Sequence, residues 1–174
     1  MKFKFAAVAG AVLMSGGAMA TTTDWEVHGP LEVGVSFVSG SFTDYFKFEI
    51  APDAISVAST AVANNLGNGV VLNIDMGMYG LWSYGTNGMF DAGAGDDMLV
   101  GGAWSFDGTS GNLTNSALLN PGKYYYMVTG NGNGAIGGLY QLTSTTQPVP
   151  EPETYAMMLA GLAALGFLAR RRQG

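Results

Sequence analysis

The chain has 174 residues, no cysteine, one histidine and a formal net charge of −6 at pH 7. Five of its 7 basic side chains lie at the two ends, so nothing in between can neutralise a row of phosphates, and nucleic-acid binding is excluded. With no thiol and a single imidazole, the sequence also offers no disulfide, no cysteine nucleophile and no histidine cluster for a transition metal.

Residues 1–20 read as a secretory signal peptide. Lys2 and Lys4 form a basic start, and Ala6 to Met14 is apolar but too short to span a bilayer. Ala18-Met19-Ala20 then places small residues where a signal peptidase needs them, so cleavage is expected between Ala20 and Thr21.

Residues 21–147 have the size of one ordinary domain and read as all-β. Val33, Val35 and Phe37 alternate with Glu32, Gly34 and Ser36. Phe42, Phe46, Phe48 and Ile50 share one face against Thr43, Tyr45, Lys47 and Glu49. Further alternation runs through Ile55 and Val57, through Val70, Leu72, Ile74 and Met76, through Tyr124, Tyr126 and Val128, and through Ile136, Tyr140 and Leu142. Turn formers separate these runs: Asn64-Asn65, Gly67-Asn68-Gly69, Asn87-Gly88, Asn120-Pro121-Gly122 and Asn131-Gly132-Asn133-Gly134. With no amphipathic helix between them, the pattern predicts an antiparallel β-sandwich of jelly-roll or Greek-key type, with about seven to nine strands. Up to Val149, two lysines, Lys47 and Lys123, face eleven carboxylates, a formal charge of −9 once both ends are removed.

Three features of this domain bear on function. Asp44 lies between Phe42 and Phe46, and in a continuous strand it would share their inward face, where an unpaired carboxylate is costly. The expectation is therefore that Asp44 sits at the strand entry and accepts backbone amides, with a cation ligand as the alternative. The stretch Gly93-Ala94-Gly95-Asp96-Asp97-Met98-Leu99-Val100-Gly101-Gly102 is similar to one turn of the glycine- and aspartate-rich calcium repeat. Stacked turns share each ion and Trp104 and Phe106 break the repeat, so a hairpin loop is expected, without a resident cofactor. A lone calcium site on Asp91, Asp96 or Asp97 is the alternative. Third, Trp82, Tyr84, Trp104 and Tyr125 could form a sugar-stacking platform, against the ordinary role of aromatics as core. No constellation supports catalysis: His28 stands alone before Gly29-Pro30, and the acids are scattered singly.

Residues 148–174 have a strict three-part order. Pro150-Glu151-Pro152 is stiff and extended, Tyr155 to Ala169 is uncharged and apolar, and Arg170, Arg171 and Arg172 follow. The apolar run falls short of the ~20 residues of a comfortable span, and arginines prefer the cytoplasmic side. This suits a brief membrane stop with a protease-accessible handle outside the bilayer.

On these residues the tail resembles the sorting signal of PEP-CTERM proteins, with Pro150, Glu151 and Pro152 matching its recognition element and Arg170 to Arg172 its basic stop. The resemblance implies export by a Gram-negative bacterium, a transient inner-membrane intermediate, cutting by an exosortase near the tripeptide, and delivery to the cell surface or an exopolysaccharide matrix. Phe42-Thr43-Asp44-Tyr45-Phe46 resembles the motif of the FxDxF subgroup, and Leu119 to Tyr126 fits its layout of a turn before a Tyr-rich strand. The same two stretches are similar to the small sandwich domains appended to secreted peptidases, a likeness that supports the fold. The expected partners are signal peptidase, exosortase and exopolysaccharide, and the expected function is that of a non-enzymatic surface or matrix protein. The alternative is a carbohydrate- or calcium-binding module of the same fold.

Overall fold

A computed structural model describes residues 19–51, 57–65, 69–92, 94–106, 114–148, 157–163 and 165. The basic and apolar parts of the signal peptide, Ile55, Gly67-Asn68, the Pro-Glu-Pro tripeptide and the three arginines lie outside the described residues.

Nine strands occur among the described residues: β1 (Met19–Val27), β2 (Leu31–Val38), β3 (Gly40–Ile50), β4 (Val57–Asn65), β5 (Ile74–Ser83), β6 (Met98–Phe106), β7 (Asn115–Leu119), β8 (Gly122–Gly132) and β9 (Gly138–Pro148). They form a five-stranded sheet in the order β1-β3-β8-β5-β6 and a four-stranded sheet in the order β2-β9-β4-β7. The first sheet is mixed rather than antiparallel, because β1 pairs with β3 in parallel. The chain visits the other sheet as β2 between these two strands, and two reversals return β3 in the direction of β1.

The core lies between the sheets and follows the alternation in β3 and β8. Phe42, Phe46, Phe48 and Ile50 are buried, and so are their cross-strand neighbours Tyr126 and Tyr124. Tyr79 and Leu81 from β5, Phe106 from β6, Leu119 from β7 and Tyr140 and Leu142 from β9 complete it. Each such side chain contributes about 1.5–3 kcal/mol relative to exposure, so a domain without disulfides can hold itself together by packing.

Elsewhere the alternation misleads. In β2 the apolar set faces out: Leu31, Val33, Val35 and Phe37 are each about half exposed, while Gly34 is buried. The reason is volume. A Cβ at Gly34 would stand 2.2 Å from the Phe46 ring, so the large β3 aromatic takes the space and β2 must present its smallest residue there. The run from Val70 to Met76 is interrupted as well. Val70 and Val71 are exposed in a bend, the strand starts at Ile74, and a register shift between Asp75 and Met78 carries Met76 into positive φ and out to solvent. Asn64 and Asn65 are not a turn but the end of β4, paired with Gln141 and Tyr140.

Candidate functional site

The Phe42-Asp44-Phe46 motif joins the two sheets. Asp44 is not at the strand entry but in the middle of β3, facing inward and 3% exposed. Its Oδ2 accepts the Tyr140 hydroxyl of β9 at 2.6 Å and its Oδ1 accepts the Thr21 backbone N–H of β1 at 3.1 Å. Phe42 stacks on the Tyr140 ring at 5.5 Å and Phe46 meets it edge-on at 6.5 Å. One tyrosine from the opposite sheet is thus gripped by two rings and one carboxylate. Burial and the neighbouring Asp44 charge push the Tyr140 hydroxyl far up from its ordinary value, so it stays a donor. Thr21 lies directly opposite Asp44 in the parallel register, and Ala20 opposite Thr43.

His28 anchors the β1–β2 link. Its Nδ1 faces the Gly29 carbonyl, which can only accept, so Nδ1 carries the proton. Nε2 therefore accepts from the Ser144 hydroxyl at 2.8 Å, and Ser144 lies 3.0 Å from the Tyr126 hydroxyl. Phe48 meets the imidazole edge-on at 4.9 Å. Burial lowers the His28 pKa, opposed by the Gly29 carbonyl and the Glu32 charge. Ser144 is fully buried and the imidazole nearly so, and the arrangement is a staple rather than a nucleophile and base open to substrate.

The second cluster lies on the outer face of the five-stranded sheet. Between β5 and β6 the chain folds back and lays Phe90 over Tyr125 at 4.9 Å and over Tyr45 at 5.1 Å. Trp82 and Tyr84 flank the same Tyr125 ring, which is fully buried. Tyr125 therefore cannot stack a sugar. Trp104 packs at 5.3 Å on Tyr79, on the core side of the sheet, so the four aromatics form no single platform. A shallow groove beside the loop is lined by Ser83, Tyr84, Gly85, Pro121, Lys123 and Tyr124. Burial, with the Asp24 and Asp97 charges, pushes the Tyr84 hydroxyl up to about 12.

This loop brings Asp91, Asp96 and Asp97 together, each offering a carboxylate oxygen within 4.8 Å of the others. Asp96 Oδ2 accepts the Thr86 hydroxyl and N–H, both at 2.6 Å, and the Asn87 N–H at 3.0 Å. Asp97 Oδ2 accepts the Tyr125 hydroxyl at 2.8 Å and the Asp91 N–H at 3.0 Å. Asn87 Nδ2 donates to Asp91 Oδ2 at 2.8 Å. Gly85 makes the approach possible: it has φ 63°, and a Cβ there would stand 2.2 Å from the Asp96 carbonyl oxygen. One oxygen of Asp96 and one of Asp97, both Oδ1, are buried without a hydrogen-bond donor among the described residues. Chemically this is a hard, oxygen-only set suited to a cation such as calcium.

Of the tail, residues 157–163 and 165 are helical, and Met157, Met158, Leu159, Leu162 and Leu165 are exposed. Among the described residues no helix is long and apolar enough to cross a membrane. The residues that sequence reasoning missed are the partners: Tyr140, Ser144, Thr86 and Asn87. Tyr140 carried only the signal of a buried aromatic, since a hydroxyl's partner across two sheets leaves no local pattern.

Comparison with known proteins matches residues 148–172 to the family model of the PEP-CTERM protein-sorting motif. No curated protein matches the chain. Among solved structures, the chain is similar to the pre-peptidase C-terminal domain of a collagenase from Bacillus anthracis, at 17% identity and TM-score 0.38, covering 75% of this chain and 99% of that one. It is also similar to PliG of Aeromonas hydrophila, a periplasmic inhibitor of g-type lysozyme, at 14% identity and TM-score 0.43, covering 74% of this chain and 100% of that one.

Proposed function

We propose that this chain is an exported, non-enzymatic protein of the cell surface or exopolysaccharide matrix, held transiently in the inner membrane by its tail and released by an exosortase. The observation that carries the reading is the sorting motif at residues 148–172, which begins where β9 ends at Pro148. The handle for the protease is thus joined directly to the last strand of the domain. On this reading the chain is also of the FxDxF type, a proposal supported by the pattern of Phe42, Asp44 and Phe46. The absence of enzyme chemistry is supported by the same geometry, since the single histidine and Asp44 are both committed to buried hydrogen bonds. Replacing Pro150 and Pro152 by Ala should trap the protein at the inner membrane, checked by fractionation. Normal release of that variant contradicts the role of the tripeptide.

A second reading, a calcium-binding module, is favoured by the loop of Asp91, Asp96 and Asp97, two of whose buried oxygens have no donor among the described residues. One repeat turn alone is half a site, but Asp91 adds a third carboxylate from the preceding turn. A bound cation stabilises by RT ln(1 + [Ca]/Kd), about 2.7 kcal/mol at a hundredfold excess. Melting in calcium against magnesium at equal ionic strength decides. A calcium-specific rise lost in Asp96→Asn and Asp97→Asn supports the site, and equal effects of both ions mean charge screening only.

A further inference from the structure

Asp44 is the most deeply buried carboxylate among the described acids, and its hydrogen-bond partners there are two neutral donors, the Tyr140 hydroxyl and the Thr21 N–H. Lys47 does not serve it: its side chain points to the opposite face of β3 and pairs with Asp24 at 2.9 Å. A buried carboxylate without a counter-charge is costly. Thr21, however, is the residue that the Ala18-Met19-Ala20 site leaves at the new N-terminus. Hydrolysis there breaks the Ala20–Thr21 C–N bond. Water's hydroxyl goes to the Ala20 carbonyl carbon and a proton to the Thr21 nitrogen. The resulting primary amine has an ordinary pKa of roughly 8 and takes up a further proton at neutral pH. The atom that donates to Asp44 Oδ1 from 3.1 Å is this same nitrogen.

We infer that signal-peptide removal creates the counter-ion of Asp44, turning a neutral amide hydrogen bond into a part-buried ion pair, between the ammonium of the exposed Thr21 and the buried Asp44 carboxylate, that locks the mature domain. The inference rests on cleavage before Thr21. The register makes it specific, because the parallel pairing of β1 with β3 sets Thr21, and no other residue of β1, opposite Asp44. Among the described residues, cleavage sacrifices the pairing of Met19 and Ala20 with Phe42 and Thr43 at the strand end. A precursor without the pair is less firmly folded, which suits a chain that must cross a membrane before it settles.

The test uses the exported protein after native processing, as wild type and as Asp44→Asn. Mass spectrometry first reads the N-terminus; a start other than Thr21 overturns the cleavage reading and the ion pair with it. Each protein is then acetylated in denaturant at neutral pH, where an α-amine reacts ahead of lysine side chains, and refolded beside a mock-treated control. Acetylation keeps the N–H donor and removes the charge. The wild type should lose about 5 °C of Tm, and Asp44→Asn should lose nothing. An unchanged wild type, or an equal loss in both, overturns the proposal. If Asp44→Asn does not fold, the acetylation rate of the wild type carries the test. The amine should react more than tenfold slower in the folded protein than in the unfolded one, and equal rates overturn the pair.

Discussion

At the scale of residues, the domain places its polar groups where they bind one sheet to the other. The Tyr140 hydroxyl is the link, held 2.6 Å from Asp44 between the Phe42 and Phe46 rings. Tyr140→Phe keeps the rings packed but leaves the carboxylate short of a donor, and should cost about 1–3 kcal/mol, measured by denaturant unfolding. A cost near zero would mean that Asp44 finds another donor. His28 makes a pH prediction. Burial holds its folded pKa below the ordinary 6.5, so the unfolded chain takes up the proton first. The stability it contributes is therefore complete above about pH 6.5 and is lost as the pH falls towards the folded value, with a slope of up to about 1.4 kcal/mol per pH unit. Gly29 and Glu32 oppose the shift without reversing it, and Ser144, Trp25 and Phe48 add no charge. His28→Gln should flatten stability between pH 7 and 5. At this scale alternation with Phe42 and Phe46 puts Asp44 on the inward face, but the cost of a buried carboxylate argued for the strand entry instead, and the structure overturns that expectation. What alternation cannot give is the identity of a partner 96 residues away.

At the scale of elements, β2 and β3 behave oppositely although both alternate. In β3 the apolar face is the buried face, and Phe42, Phe46, Phe48 and Ile50 share it as their alternation predicts, with Asp44 among them. In β2 the valines look outward because Phe46 occupies the space above Gly34. Gly34→Ala should therefore destabilise by about 1–3 kcal/mol through overpacking, whereas Val35→Thr on the exposed face should stay within about 0.5 kcal/mol, both read from thermal or denaturant melts. The reverse ranking would show that β2 packs in the other register. Period alone does not state which face is inside; it needs the volume of the opposing sheet. The β5–β6 loop is a second case. Its three aspartates were legible as a cluster in sequence, but their docking through Tyr125 was not, because that hydroxyl comes from β8 on the far side of the chain. The Thr86 hydroxyl and the Asn87 amide hold the Asp96 carboxyl below the ordinary 3.8. What it contributes to stability is present above that value and lost as the pH falls through the lower folded one. Acid melts of Asp96→Asn should thus fall less steeply below pH 4 than those of the wild type.

At the scale of the whole molecule, the organisation follows from the two ends. The domain between them has no disulfide, carries a formal charge of −9 between Thr21 and Val149, and among its described residues has one ion pair, Lys47–Asp24. Self-repulsion on such a surface should make the melting temperature rise with salt even where no specific cation binds. The mixed sheet was not legible in sequence, because parallel pairing of β1 and β3 depends on a crossover that no local pattern encodes. The tail was the most legible part, since its order of stiff tripeptide, apolar run and arginines is written in consecutive residues. The measurement that tests the account most directly is the intact mass of the protein recovered from the cell surface or medium. It should begin at Thr21 and end close to Pro150, and a recovered chain that still carries Arg170 to Arg172 would contradict exosortase processing.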